Sequence, residues 1–347
     1  MKRWLFSAPI DLALFGGTAI VSLILVLFGP RSGSDAPEWT WITGVLLVDV
    51  AHVWSTAFVV YLDPAEWRRR PALYAGTPIA CFAIGCAAYA AGEAVFWRGL
   101  AYLAVFHFIR QQYGWVMMYR ARHGERGRWT RWLDGATVYA ATLYPLIVWH
   151  TRLPRAFSWM KQGDFAAGLP AGVATVAGWS YLALLTGYVA RACGQRPVAW
   201  GKHVVVAATA ACWYVGIVAT NADHAFTVTN VFIHGVPYLA LVFLYARAAS
   251  REPASQRGTA ARLLGAHGLR ALVVFCASLW AIAYLEELVW DRAIWHDRGW
   301  LFGDGFDAGS AARWLVPLLA VPQLTHYVLD GFLWRRRGNP RLGQLVL

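Results

Sequence analysis

The chain alternates long hydrophobic runs with short polar segments rich in arginine. A helix rises about 1.5 Å per residue, so roughly 20 apolar residues are needed to cross a hydrocarbon core about 30 Å thick. About ten runs reach or approach that length, and each predicts a membrane-spanning helix. These runs cover approximately residues 10–28, 39–62, 73–92, 95–119, 133–149, 170–190, 200–220, 226–246, 270–290 and 312–334.

Composition agrees with a membrane protein. Hydrophobic residues make up 58% of the chain and charged residues 14%, whereas about a quarter of the residues in soluble domains are charged. We therefore predict an all-α polytopic bundle, with residues 1–347 forming a single integral membrane domain. The five cysteines have no CxxC spacing, so neither a disulfide framework nor a thiolate metal site is indicated.

The distribution of arginine and lysine predicts the orientation. Cytoplasmic loops of membrane proteins carry an excess of these residues. With both termini in the cytoplasm, the basic segments near 63–72, 120–132, 191–202 and 247–270 all lie inside, and the loops near 150–169 and 286–311 lie outside. Topology then explains the net charge of +12 without a nucleic-acid partner. The preference for arginine over lysine suggests a bacterial genome, and hence the inner membrane.

Four of the predicted spans share one pattern of polar residues. Each has a single histidine near its midpoint and a polar side chain about one helical turn away on the same face. The histidines are His52, His107, His234 and His326. Polar groups inside a bilayer are costly and face the bundle interior, so they are functional candidates. Because the four spans run in the same direction, we expect the histidines to lie at one depth.

Imidazole is the commonest protein ligand for transition metals, so the pattern predicts a four-histidine metal site. Fe(II) is favoured, with Zn or Cu as alternatives, and no organic cofactor is predicted. Asp49, Asp330 and Tyr238 are the candidate catalytic residues, and either aspartate could ligate directly. The predicted supporting side chains are Gln111, Asn230, Gln323 and Arg110. A side chain one turn from a histidine often serves the histidine of a neighbouring helix instead.

Other uses of these polar side chains stay open. Histidines in membrane bundles also form interhelical hydrogen bonds, worth roughly 1 kcal/mol each. A transporter could use Asp49, Asp330 and the histidines as a proton or cation path at mid-membrane depth. A single haem with two histidine ligands is a further alternative.

The pairs His107-Phe108 and His234-Gly235, on helices with lone mid-membrane histidines, resemble the Brp/Blh group of bacterial membrane carotene dioxygenases. That group holds a non-haem iron by four histidines and cleaves β-carotene. The resemblance covers the histidine pattern and not the whole chain. It implies a non-haem iron oxygenase or oxidoreductase acting on a lipid or isoprenoid, an apolar small molecule taken from the bilayer, and it does not fix the substrate.

A second resemblance concerns Asn230 and His234-Gly235, which are similar to the membrane-bound O-acyltransferases, where a buried histidine is the base for acyl transfer. That reading leaves the other three mid-membrane histidines without a role. The sequence gives no indication of the oligomeric state.

Overall fold

A computed structural model describes residues 4–33, 36–251, 257–265, 268–335 and 339–346. The protein is 80% helical, which confirms the all-α class. Several predicted cytoplasmic positions lie outside the described residues, namely Lys2, Arg3, Arg336, Arg337 and parts of the loop near 247–270.

The helices follow one another with short connections. In chain order they are α1 Ala8–Phe28, α2 Glu38–Val59, α3 Pro64–Arg69, α4 Pro71–Ala91, α5 Glu93–His123, α6 Arg128–Thr151, α7 Ala171–Gly194, α8 Trp200–Ala219, α9 Asp223–Ala248, α10 Thr259–Leu263, α11 Leu269–Trp295, α12 Gly299–Phe302, α13 Ala312–Leu319, α14 Val321–Leu333 and α15 Pro340–Val346. Two short strands, β1 Ser32–Gly33 and β2 Asn221–Ala222, pair in parallel, with Ser32 opposite Asn221.

Seven of the described helices are long and apolar enough to cross a membrane, namely α1, α2, α4, α7, α8, α9 and α11. The other three predicted spans are also helical: residues 95–119 lie in α5, 133–149 in α6, and 312–334 are divided between α13 and α14. By length and composition α5 and α6 fall outside the seven apolar helices, and Ala320 interrupts the tenth predicted span between α13 and α14.

Proline, glycine and capping side chains define where helices begin and break. Pro64 and Pro71 start α3 and α4, in the first turn, where a missing backbone N–H costs nothing. Asp63 caps α3, and its Oδ1 accepts a hydrogen bond from the backbone N–H of Ala65 at 3.0 Å. Gly92 has φ 140° between α4 and α5, a conformation that side chains with a Cβ rarely adopt.

The chain divides by its internal contacts into two compact units. Unit 1 comprises Met1–Gly44, Ala101–Pro237 and Gly343–Leu347, and unit 2 comprises Val45–Leu100 and Tyr238–Leu342. In unit 2, α4 packs against α13 and α14, while α2 packs against α11 and α14. In unit 1, α6 packs along α7 and also contacts α8.

An aromatic cluster forms much of the core of unit 1. The loop between α6 and α7, predicted to be external, contributes Phe157 and Phe165, which are both buried. Trp149 of α6 meets both rings at centroid distances of 4.7 Å. Within the loop, Asp164 accepts a hydrogen bond from the backbone N–H of Trp159 at 2.7 Å. The loop is therefore part of the packed core and not only a solvated connection.

Charged side chains meet at one end of unit 1, where the sequence predicted a cytoplasmic surface. Asp134 and Lys202 are fully buried, and Lys202 Nζ donates to Glu125 Oε1 at 2.6 Å and to Asp134 Oδ2 at 3.1 Å. Arg120 and Arg191 each donate to the Asp134 carboxylate. These residues form the ion cluster: Arg120, Glu125, Asp134, Arg191 and Lys202. A buried charge is tolerated only when it is paired, so the cluster fixes α5, α6, α7 and α8 at this end.

Replacing Asp134 with asparagine removes the charge that three cations share. We expect Asp134→Asn to lower stability by about 3 kcal/mol, because it leaves Lys202 buried without full compensation. Thermal unfolding of the purified protein in detergent measures the change. Asp297→Asn is the control, because Asp297 is 65% exposed and its contact with Arg298 is 3.9 Å. Equal melting temperatures of the two variants would contradict a stabilising role for the cluster.

Glu125 also gives the cluster a pH dependence. Burial opposes ionisation of Glu125, but the hydrogen bond and charge of Lys202 outweigh it and hold the pKa of this carboxyl below its ordinary value of 4.5. A lowered folded-state pKa gives stability that is present above pH 4.5 and is lost as the pH falls through the folded value. We expect Glu125→Gln to be less stable at pH 7 and to lose less stability on acidification, as measured by unfolding at pH 7 and below pH 4.5.

Candidate metal centre

All four predicted histidines are buried. The exposed fractions are 1% for His52, 6% for His107, 0% for His234 and 0% for His326. Unit 1 contains His107 and His234, and unit 2 contains His52 and His326. Each unit therefore brings together two histidines that are distant in the sequence, one from each of two helices.

The pair in unit 1 joins α5 to α9. One ring nitrogen of His107 and one of His234 lie within 4.8 Å of each other, a separation that two ligands of one metal ion can have. The rings are nearly perpendicular, at 81°, with centroids 5.0 Å apart. Phe108 stacks on His234 with a centroid distance of 3.6 Å and an interplanar angle of 9°. This stacking fixes the plane of the His234 ring.

Pro237 explains how α9 is held beside α5. A proline has no N–H, so it leaves the carbonyl four residues earlier without its helical partner. That carbonyl belongs to Ile233, and the Gln112 side chain donates to it at 3.3 Å. Gln111 donates to the carbonyl of His234 at 2.7 Å. Two consecutive amides of α5 thus bind the backbone of α9 where His234 lies.

The helical pattern of polar residues predicts a role for Gln111, but it does not single out Gln112 or its partner Thr209. Thr209 Oγ1 of α8 donates to Gln112 Oε1 at 3.1 Å, and this bond orients the amide toward Ile233. Pro237, a proline within a predicted span, is the sequence feature that points to such a partner. It indicates that the carbonyl four residues earlier needs a hydrogen-bond donor from another helix. The sequence does not show which amide supplies that donor.

The pair in unit 2 joins α2 to α14. The rings of His52 and His326 are 4.8 Å apart between centroids, at 84°, and one nitrogen of each lies within 4.8 Å of the other. Thr56, one turn after His52, hydrogen-bonds to His326 Nδ1 at 2.8 Å. Thr56 therefore binds the histidine of the neighbouring helix and not the histidine of its own helix. With Nδ1 bound to Thr56, Nε2 is the nitrogen of His326 suited to a metal.

Tyr238 and Asp330 lie beside this pair. The Tyr238 ring is 5.8 Å from His52 and 5.1 Å from His326 between centroids. Its hydroxyl donates to Asp330 Oδ1 at 2.5 Å, and Trp334 Nε1 donates to the same oxygen at 3.0 Å. Asp330 Oδ1 is 4.0 Å from His326 Nδ1. The tyrosine hydroxyl and the carboxylate thus form a hydrogen-bonded unit next to both imidazoles.

Asp49 and Gln323 lie nearby in unit 2. Asp49 Oδ1 is 3.5 Å from His52 Nδ1, longer than a good hydrogen bond. The backbone is π-helical over Trp41–Val50, a geometry often found at functional sites, and it returns to α-helix just before His52. Gln323 donates to the Tyr327 hydroxyl at 2.7 Å, so its role toward a histidine stays a prediction.

The remaining predicted supporting residues have other contacts in unit 1. Asn230 donates to the carbonyl of Phe226 and to the hydroxyl of Thr229, both on its own helix. Arg110 donates to the Tyr139 hydroxyl at 2.6 Å, and its guanidinium lies 4.9 Å from the centre of the Tyr113 ring. The predicted roles of Asn230 and Arg110 at a metal site stay predictions.

Comparison with known proteins found no match. No family model matches the chain, and neither a curated protein nor a solved structure matches it. The functional interpretation therefore depends on the geometry of the histidines and their partners.

The Thr56 hydrogen bond can be tested directly. We expect Thr56→Val to weaken metal retention by about 10- to 100-fold, the usual effect of removing a hydrogen-bond partner from a ligating histidine. The measurement is metal retained against increasing chelator. Ser55→Ala is the matched control, because the Ser55 hydroxyl is bound to the backbone carbonyl of His52 at 2.6 Å. Equal retention by the two variants would contradict the orienting role of Thr56.

Proposed function

We propose that the protein is a membrane metalloprotein in which His52, His107, His234 and His326 together bind one transition-metal ion. The observation that carries the proposal is the burial of all four imidazoles as close pairs in an apolar helical protein. Polar side chains are costly to bury in a bilayer and mark functional sites, and imidazole is the commonest protein ligand for transition metals.

The donor set fits a first-row transition metal. Neutral imidazole suits Zn, Cu, Fe and Ni, whereas Mg and Ca prefer oxygen ligands. The two rings of each pair are nearly perpendicular, so their nitrogens can approach one ion from different directions. Fe(II) is favoured, because nitrogen ligands that leave a coordination position open suit iron that reacts with O2.

The proposed topology has ten spans with both termini in the cytoplasm of a bacterial cell. The seven apolar helices support a membrane protein, and α5, α6 and the α13–α14 segment supply the other three spans. Arg120, Arg191 and Lys202 lie at the same end of unit 1, which agrees with the basic side facing the cytoplasm.

The proposed activity is oxidation of a lipid or isoprenoid by O2. A bound redox metal supplies the one-electron chemistry that O2 requires, and the chain supplies the surroundings. Phe108 and Tyr238 line the two histidine pairs with aromatic surface, which suits an apolar substrate. The hydroxyl of Tyr238, held by Asp330, can hold or move a proton beside His326.

Metal analysis of the purified protein tests the proposal. We expect near-stoichiometric iron or another transition metal in the wild type, without the visible absorption of haem. If one ion is bound by all four histidines, each single alanine variant at His52, His107, His234 or His326 loses nearly all of the bound metal. If each pair binds separately, a variant loses about half. His150→Ala is the control, because the described partners of His150 are the Tyr102 hydroxyl and the Leu146 carbonyl.

A protein that remains metal-free after reconstitution with Fe(II) and Zn(II) would contradict the proposal. It would favour a proton or cation path through Asp49 and Asp330, or acyl transfer at His234. For a metal-loaded protein, oxygen uptake on addition of isoprenoid lipids tests the oxidation step. Equal oxygen uptake by the wild type and Tyr238→Phe would show that Tyr238 has no role in the proposed reaction.

A further inference from the structure

Unit 1 has a groove away from the histidines, on the surface where α6 lies along α7. Its volume is about 610 Å³, within the range of about 300–1,000 Å³ that small-molecule sites occupy. The residues that line it include Trp129, Trp132, Leu133, Leu184, Gly187 and Arg191.

The floor of the groove is apolar. Leu133 and Leu184 supply hydrocarbon surface, and Gly187 leaves space because it has no side chain. In α7, only 6% of the most apolar 18-residue window is buried, so most of the residues of this membrane-length helix remain accessible to the surrounding lipid. An acyl chain is the apolar group available at such a surface.

One end of the groove carries positive charge. Arg191 lines the groove and also belongs to the ion cluster, in which three cations meet two carboxylates. The cluster therefore keeps one net positive charge. Arg128 and Arg131, in the first turns of α6, are both exposed. An anion at this end would therefore meet the net positive charge of the ion cluster and two exposed arginines.

Two tryptophans mark the depth of that end. Trp129 and Trp132 are 68% and 53% exposed, and their rings stack with centroids 4.8 Å apart. Exposed tryptophans of membrane proteins concentrate at the level of the lipid headgroups. The charged end of the groove is thus at headgroup depth, and its apolar floor extends toward the hydrocarbon.

We infer that this groove binds one anionic phospholipid of the surrounding bilayer. The acyl chain lies on Leu133 and Leu184 in the space beside Gly187, and the phosphate lies at the end with Arg191 and the tryptophans. Basic pockets between membrane helices bind anionic headgroups in this way. The site is independent of the metal centre proposed above.

Filling the groove tests the inference. A Cβ at Gly187 would be 3.9 Å from Leu133 Cδ1, an ordinary contact, so Gly187→Leu blocks the groove without a backbone clash. Gly172→Leu is the matched control on the same helix, because a Cβ at Gly172 meets nothing within 4 Å. The full chain is purified in mild detergent and mixed with phosphatidylglycerol or phosphatidylcholine, and bound lipids are counted by native mass spectrometry.

We expect wild type and Gly172→Leu to retain one phosphatidylglycerol with at least about fivefold preference over phosphatidylcholine. Gly187→Leu loses that binding and keeps its metal content. Trp129→Ala, at an exposed position that tolerates change, shows a smaller loss of phosphatidylglycerol binding. This variant replaces Gly187→Leu in the test if Gly187→Leu does not fold. Equal lipid binding by Gly187→Leu and Gly172→Leu, or equal affinity for the two lipids, would overturn the inference. So would a dimer that only Gly187→Leu disrupts, since a second copy would then cover the groove.

Discussion

The structure depends on one constraint: a polar group buried among apolar helices must find a partner within the protein. Pro237 shows how the constraint positions the site. The proline leaves the Ile233 carbonyl without its helical bond, and Gln112, held by Thr209, replaces the missing donor. These two hydrogen bonds join α5, α8 and α9 close to His107 and His234. The interruption of the helix at Pro237 therefore helps to position the histidine pair.

The buried ionisable groups satisfy this constraint in two different ways. In the ion cluster, opposite charges compensate one another, and the result is a rigid end of unit 1. Around the histidines, hydrogen bonds and ring contacts hold the imidazoles: Thr56 binds His326, Phe108 stacks on His234, and Tyr238 lies beside His52 and His326. The carboxyl groups of Asp49 and Asp330 also lie nearby, 3.5 Å from His52 Nδ1 and 4.0 Å from His326 Nδ1. The first arrangement suits stability, and the second suits chemistry.

Aromatic residues connect the histidines with the rest of the protein. In unit 1, Trp159 of the loop after α6 meets Phe108, which stacks on His234. In unit 2, Trp334 packs against Tyr238 and donates to Asp330. Large rings fill space with few rotatable bonds, so they hold imidazoles in fixed planes at a small entropic cost.

The lengths of the hydrophobic runs and the periodicity of the polar residues were sufficient to predict the fold class and the candidate site residues from the sequence alone. They predicted an all-α membrane protein and selected four histidines that are all buried, because hydrophobicity and helical period are local properties. Tertiary structure decided the partners. Thr56 serves His326 across helices, Gln112 serves the carbonyl that Pro237 frees, and Lys202 is buried in an ion cluster although its position predicted a basic loop. Which side chains meet depends on how helices distant in sequence pack, and no local pattern encodes that packing.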